Sequence, residues 1–383
     1  MNKIKLRFQI VHYQPIYTGA GKSLEKLIKA LDKNIFEIEI LTTYKLGLQY
    51  LEYIDGYKII RISGKFFGSN GYLTKWGRFY FAMNALRYNL FNNNFNIINF
   101  IGVGTVALPS ILVARILNKK IVNKITAVGD DDPKKLSKTI LGKYILKLLE
   151  INTVHWVISR EIYDNCIEHT KWEKRNIFLI TNPVQLIYKK YHELLTQRNK
   201  YTTKKNIFLF VGVLNRRKGV DILLNLWLNS NIDSKLILCG PRGNDNHINE
   251  MLDNLNKNNI KELGSLDYED LKKQYLMADY FIFPSKREGL PNVVLEAMSF
   301  GLPVIANEIK GVTDFLLGSK NERGLLVQNN DFIIWQTIIK NIENSTSDFV
   351  YQTISKNAYD WIVKNSESSV VAKKMKQLYL KDI

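Results

Sequence analysis

The chain of 383 residues is poor in cysteine, proline and histidine, with two, eight and five of each. Cys166 and Cys239 stand far apart, with no spacing of the metal-ligand or dithiol type. That excludes a disulfide framework and a zinc or redox motif, and a reducing, cytoplasmic setting is expected. The start lacks the apolar core of a secretory leader: Lys3, Lys5 and Arg7 alternate with Ile4, Leu6 and Phe8, as in a strand. Residues 88–114 carry no charge and are long enough to span a bilayer, but asparagines crowd their first half and Gly102, Gly104, Pro109 and Ser110 break the second. They read instead as a strand at Ile97 to Ile101, a loop, and a helix from Ala107 to Leu117 with proline in its first turn.

Acidic residues are scarce in one half. Residues 1–190 hold 29 Lys+Arg against 14 Asp+Glu, and residues 191–383 hold 25 against 22. The net charges are +15 and +3, which together make the formal +18. Such asymmetry points to an anionic partner for the first half: lipid headgroups, a lipid-linked phosphate or nucleic acid. A bias toward Asn, Lys and Ile throughout the chain is the competing explanation. No motif with nucleic-acid-binding spacing is present, so no nucleic-acid partner is expected. Peripheral contact with an anionic membrane surface, on the cytoplasmic face of the inner membrane, is the expectation.

Two nucleotide motifs are also missing. Strand-type runs at Leu6 to Val11 and Phe36 to Leu41 flank a helix from Ser23 to Leu31, which makes an opening β-α-β unit and hence a parallel sheet. Gly21-Lys22-Ser23 ends like a P-loop, but Ile16 stands where the first glycine belongs. The dinucleotide fingerprint fails at Leu24, and no acid closes the second strand. What remains is a glycine loop, Gly19, Ala20 and Gly21, that lets a ligand approach the backbone closely.

What is present is concentrated in residues 278–306, ADYFIFPSKREGLPNVVLEAMSFGLPVIA. Tyr280 to Phe283 is strand-type and ends at Pro284-Ser285. A helix of about three turns follows, with Pro291 in its first turn and Gly301 and Pro303 as its stop. The helix start leaves the amides of Leu290, Asn292 and Val293 available for an anion, especially phosphate. Glu288 and Glu296 frame them, suited to hydrogen bonding a sugar on one side and a ribose on the other. Earlier, Ile207 to Val211, Gly212 and a loop holding Arg216, Arg217 and Lys218 lead to a helix from Val220 to Leu228. Three cations at a helix start are unfavourable unless an anion sits there.

The stretch resembles the signature of retaining, nucleotide-sugar-dependent glycosyltransferases of family 4. Their E-x7-E motif, preceded by PS-x-x-E-G and followed by EAM-x-x-G-x-PV, is matched in sequence, and Gly324 to Val327 matches as well. The resemblance implies the GT-B fold, two doubly wound Rossmann-like α/β domains facing across a cleft, and a metal-independent hexosyltransferase. It further implies a nucleotide-sugar donor, expected to be a UDP-sugar, with no resident cofactor, and a glycan or lipid-linked acceptor in bacterial surface polysaccharide biosynthesis. Glu288 would contact donor-sugar hydroxyls and Glu296 the ribose. The diphosphate would meet Gly212, Lys218, Gly289, Leu290, Pro291, Asn292 and Val293, and the Gly19 to Gly21 loop would face the phosphates and the acceptor. The family places an arginine directly after the glycine matching Gly212, where this chain has Val213. Arg217, with Arg216 beside it, is expected to replace part of that charge.

Asp130, Asp131 and Asp132 suggest an alternative, a metal-dependent transferase of another fold. They also precede Pro133 at a helix start, where acids cap. Val128 occupies the position of a histidine that many family members carry near the acceptor, which leaves Asp130 as the acceptor-side candidate. His155 reads as a packed strand residue, and the aromatic and basic run from Phe66 to Phe81 as core in preference to a lipid interface. The lysines between Lys134 and Glu150 do not gather on one helical arc. The domains are expected at 1–185 and 186–383, crossing at the basic run Lys189 to Lys205, with a last helix from about 366 that can pack back on the first domain.

Overall fold

The computed structural model describes residues 3–15, 18–62, 73–102, 104–129, 131–201, 205–318, 320, 322–344 and 348–381. Two units divide the chain: Met1–Pro183 with Ser368–Ile383, and Val184–Glu367. The last segment, counted in the sequence with the second domain, therefore belongs to the first unit.

Unit 1 runs β1 (Ile4–Gln9), α1 (Gly19–Ala30), β2 (Phe36–Thr43), β3 (Leu51–Ile54), β4 (Tyr57–Ile62), α2 (Lys75–Phe91), β5 (Ile97–Ile101), α3 (Leu108–Ile116), β6 (Lys120–Ile125), α4 (Pro133–Leu136), α5 (Ile140–Leu148), β7 (Thr153–Val157), α6 (Arg160–His169) and β8 (Ile177–Leu179). The strands form one sheet in the order β3-β4-β2-β1-β5-β6-β7-β8. All neighbours are parallel except the β3–β4 hairpin. Its turn, Asp55-Gly56, has both φ values positive, 53° and 82°, as a two-residue hairpin turn requires. Strands buried on both faces read as near-continuous apolar runs, and Leu6, Phe8, Ile97, Ile98, Ile121 and Val122 are all fully buried.

Unit 2 runs α7 (Tyr191–Arg198), β9 (Ile207–Val211), α8 (Val220–Asn229), β10 (Lys235–Cys239), α9 (Asn246–Asp253), β11 (Ile260–Gly264), α10 (Tyr268–Met277), β12 (Tyr280–Phe283), α11 (Asn292–Ser299), β13 (Val304–Asn307), α12 (Thr313–Leu317), β14 (Gly324–Val327), α13 (Phe332–Asn344) and α14 (Asp348–Asn365). Its all-parallel sheet has the order β11-β10-β9-β12-β13-β14. The chain moves outward one way from β9 and the other way from β12. The carboxyl ends of that pair are therefore the switch point, where open α/β sheets bind ligands. A final helix, α15 (Ser368–Leu380), packs on α1 in unit 1.

Several elements differ from the expectations. The polar run taken as the crossing contains α7, whose Leu194 is buried and whose Arg198 guanidinium donates to the carbonyls of Ala278, Phe300 and Gly301. The helix expected from Ser23 starts at Gly19, with the Thr18 hydroxyl accepting from the Gly21 amide at 3.0 Å. Gly19, Ala20 and Gly21 are thus a helix's first turn rather than a free loop. Of the aromatic run expected as core, Phe81 is buried, but Trp76, Phe79 and Tyr80 are exposed. Its first half lies outside the described residues.

Candidate functional site

At the switch point of unit 2 the loops leaving β9 and β12 meet. Arg216–Lys218 forms a single 3-10 turn, capped by the Asn215 side chain accepting from the Lys218 amide at 3.0 Å. Gly219 then turns the chain with φ 76°, and a Cβ there would lie 2.2 Å from the Pro284 carbonyl oxygen. Only glycine allows this approach of backbone to backbone. The Lys286 amide closes it by donating to the Arg217 carbonyl at 3.0 Å.

The contact brings Lys218 to Glu288. Lys218 Nζ donates to Glu288 Oε1 at 2.5 Å, and the Ser285 hydroxyl donates to the same oxygen at 2.6 Å. Both charged side chains are nearly buried, 14% and 11% exposed, so the pair is screened far less than a surface ion pair. Arg217 is half exposed. Its guanidinium donates to the Arg287 carbonyl at 3.1 Å and lies 3.7 Å from Glu288 Oε1. Two cations therefore converge on one carboxylate in front of α11.

Arg216 goes elsewhere. Its amide and guanidinium both donate to Asp245 Oδ2, at 3.2 and 3.0 Å. The three cations precede α8 rather than sitting in its first turn, and carboxylates of the chain meet them: Asp245 for Arg216, Glu288 for the other two. Gly212 follows β9, its amide donating to the Cys239 carbonyl at 2.9 Å, and Val213 is partly exposed.

The helix α11 is shorter than expected, starting at Asn292, with Pro291 at its cap position instead of in the first turn. Gly289 and Leu290 form the approach to it, and Asn292 and Val293 are its first two residues. Glu296 lies in the second turn, where the buried Tyr275 hydroxyl reaches Oε2 at 3.4 Å. Burial, and after it the Glu296 carboxylate, push the Tyr275 hydroxyl well above its ordinary value. A groove of about 700 Å³ opens beside these loops, lined by Lys286, Asn307, Glu308, Lys310, Asp314, Asn329 and Asn330. Asn307 and Asn330 tie it to the site by donating to the carbonyls of Ser285 and Pro284.

In unit 1, Asp130 lies outside the described residues. Asp131 accepts from the amides of Thr126 and Ala127, both at 2.8 Å, and burial still pushes its carboxyl up to about 6. Asp132 caps α4, accepting from the Lys135 amide at 2.8 Å. Both carboxylates bind backbone, as acids before a helix do. Beside them Lys124 is buried, donates to the Ser23 hydroxyl at 2.9 Å, and is lowered by burial to about 7.

Sequence reasoning missed Ser285 and Gly219. The Pro284-Ser285 pair was visible as a strand end, but nothing in it indicates a hydroxyl aimed at Glu288. Gly219 was visible only as a loop residue.

The family model "Glycosyl transferases group 1" matches residues 193–361, a span that includes both loops. An uncharacterized glycosyltransferase of Methanocaldococcus jannaschii is 25% identical over 328 residues, 83% of each chain. The UDP-Gal:alpha-D-GlcNAc-diphosphoundecaprenol alpha-1,3-galactosyltransferase of Escherichia coli is 29% identical over 211 residues, 54% of this chain and 46% of its own. Among solved structures, Anabaena Alr3699/HepE in complex with UDP and glucose superposes with a TM-score of 0.72 at 15% identity, covering 99% of this chain and 100% of the other. Residues 193–361 thus form a glycosyl transferase group 1 domain, in a chain with the GT-B fold of two Rossmann-like domains.

Proposed function

We propose that this chain is a retaining, metal-independent family 4 transferase that moves a sugar from a nucleotide sugar, a UDP-sugar, to a glycan or lipid-linked acceptor in surface polysaccharide biosynthesis. The observation that carries the reading is the convergence of Lys218, Arg217 and Ser285 on Glu288 in front of α11. A diphosphate at this point meets two cations and the amides that open the helix, next to a carboxylate that accepts from sugar hydroxyls. Glu296, further along α11, accepts from the ribose.

Bond breaking at the anomeric carbon sends an electron pair to the departing diphosphate. Cations already in place when that charge develops stabilise it most, and they need no reorganisation to do so. Lys218 and Arg217 perform this role, and Arg216, held by Asp245, frames the loop. The acceptor oxygen attacks from the face the diphosphate leaves, so configuration is retained. Asp130 is the acceptor-side carboxylate, and the Gly19–Gly21 turn, as a helix N-terminus, suits an anionic group. No resident cofactor takes part. The E. coli relative, whose name gives UDP-Gal and a diphosphoundecaprenol-linked acceptor, supports the donor and acceptor classes. The basic first half implies peripheral contact with an anionic membrane on its cytoplasmic side.

The test is turnover of UDP-, GDP- and ADP-sugars in excess EDTA, with the product anomer read by NMR. Transfer from a UDP-sugar with retention is expected. Activity abolished by EDTA and restored by Mn2+, or an inverted product, overturns the reading.

A further inference from the structure

Residues 56–129 contain no Asp or Glu at all, against ten Lys and Arg. With acids at 36 of 383 positions in the whole chain, uniform composition does not produce such a gap. The gap includes the whole of α2, whose outer face exposes apolar side chains. Its inner face buries Gly77, Phe81, Ala82, Ala85 and Asn89. On the opposite side Trp76, Phe79, Tyr80, Met83, Leu90 and Phe91 are all exposed, Trp76 at 71% and Phe91 at 74%. At the helical repeat these six fall within an arc of about 120°. Arg87 lies inside that arc, and Lys75 stands about 40° beyond its edge.

A second apolar cluster stands nearby. Both α2 and α5 pack on the short turn Thr105–Ala107. The start of α5 exposes Ile140, at 91%, with Leu141 and Tyr144, and Lys143 and Lys147 are exposed between and beyond them.

We infer that the outer face of α2, with the start of α5, is the surface by which this chain docks on an anionic lipid bilayer. Tryptophan, tyrosine and phenylalanine are the side chains that settle at the headgroup boundary, and flanking cations add attraction to anionic lipid. Charge selects this occupant. A second copy would bring a like-charged face against this one, with no acid to pair the cations. A nucleic acid would need cations at the centre of the contact, where Met83, Leu90 and Ile140 stand instead. No described helix is long and apolar enough to cross a membrane, so the contact is peripheral. The inference rests on the membrane contact proposed above and names its surface. Vesicle binding and sugar transfer are measured separately, so either can fail alone.

The experiment is co-sedimentation of the full chain with phosphatidylcholine vesicles with or without phosphatidylglycerol. Binding to the phosphatidylglycerol vesicles is expected, weakening with salt. The double substitution Phe79→Gln, Met83→Gln should lower the partition coefficient by about tenfold or more, because it removes two inserted apolar groups, while thermal unfolding is unchanged. If that variant fails to fold, a fluorophore on Met83→Cys replaces it. The native Cys166 and Cys239 are buried, and burial raises both thiols, so they leave the label to position 83. A blue shift of that label on adding phosphatidylglycerol vesicles is expected. Equal sedimentation of the two chains with no shift of the label overturns the inference. So does a dimer that the double variant dissociates, or a label that responds to single-stranded DNA and not to vesicles.

Discussion

His155 is buried in β7, its ring stacked 3.5 Å from that of Trp172 and nearly parallel to it. Burial lowers its pKa from 6.5 to about 3. The folded state therefore keeps the ring neutral while the unfolded chain protonates it. Its contribution to stability is complete above pH 6.5 and is lost as pH falls toward 3. Each pH unit in that window is worth about 1.4 kcal/mol, so His155→Phe should remove roughly 2 to 3 kcal/mol of acid sensitivity between pH 6.5 and 4.5. Thermal melts of both chains across that range measure it, and a variant that loses stability as steeply as the natural chain contradicts the account. The phosphate cations give a second test at this scale. A charged hydrogen bond contributes about 1.5 to 3 kcal/mol, and roughly 1.4 kcal/mol is tenfold in rate, so Lys218→Ala should cost about 10- to 100-fold in turnover. Arg217→Ala should cost less, since Arg217 stands farther from Glu288 and half in solvent. Val213→Arg, at a partly exposed position, should recover part of that loss. Single residues were legible in the sequence to the extent that a motif named them. The motif marked Glu288 and Lys218, but their pairing depends on contact between loops some seventy positions apart, which no spacing records. The sequence favoured Arg217 over Arg216 only as the nearer neighbour of Lys218, and the structure adds that Asp245, on another loop, holds Arg216.

The element that holds the site together is the loop pair, and Gly219 is the position where it can be broken. Alanine there takes on a positive φ of 76° and a clash with the Pro284 carbonyl. Gly47 provides the control: its φ is 89°, but a Cβ would meet nothing within 4 Å. Left-handed backbone costs a side chain about 1 to 3 kcal/mol, so Gly47→Ala should lose that much and no activity. Gly219→Ala should lose more and should also uncouple Lys218 from Glu288. Melting temperature and turnover of the two variants separate these effects, and equal outcomes would mean that the approach to Pro284 is unimportant. On the same loop, Glu288→Gln should reduce turnover more than UDP affinity, whereas Glu296→Gln, in the body of α11, should weaken UDP itself. UDP binding that is lost in the first variant and kept in the second reverses these roles. Strands with continuous apolar runs, such as Ile207–Val211 and Tyr280–Phe283, were legible to the residue because both faces are buried. The β3–β4 hairpin was not read, although Asp55-Gly56 is a turn signal, because β3 alternates exposed Leu51 and Tyr53 with partly buried residues at a sheet edge. The start of α1 was missed for a related reason: two glycines read as a loop, yet the Thr18 cap outweighs their poor helix propensity.

The whole chain is laid out so that it leaves unit 1 after Pro183 and comes back at Ser368. What brings α15 back is its inner face: Val371, Met375 and Tyr379 are fully buried, and Ala372 and Leu378 nearly so. Tyr379 meets Phe36 and Phe8 edge to face, at 5.6 and 6.5 Å, and its hydroxyl accepts from Asn99 at 2.7 Å. Lys120 Nζ, on β6, donates to the carbonyls of Leu378 and Tyr379 at 2.8 and 3.2 Å, which satisfies a buried cation with the end of this helix. A last helix from about 366 that can pack back on the first domain is expected from the sequence, but the partner strands lie more than 250 residues upstream, and no local pattern identifies them. Removing a buried aromatic side chain costs about 3 to 5 kcal/mol, and Tyr379→Ala also leaves the Asn99 amide without its acceptor. We therefore expect Tyr379→Ala to speed hydrogen exchange in Ile4–Gln9, Ile97–Ile101 and Lys120–Ile125 by about 100-fold or more, at roughly 1.4 kcal/mol per tenfold. Exchange in Ile207–Val211 and Tyr280–Phe283, which belong to the other unit, should stay as it is. An equal acceleration in both sets would mean that the two units do not open separately, and none in either would mean that α15 contributes little to the sheet it covers.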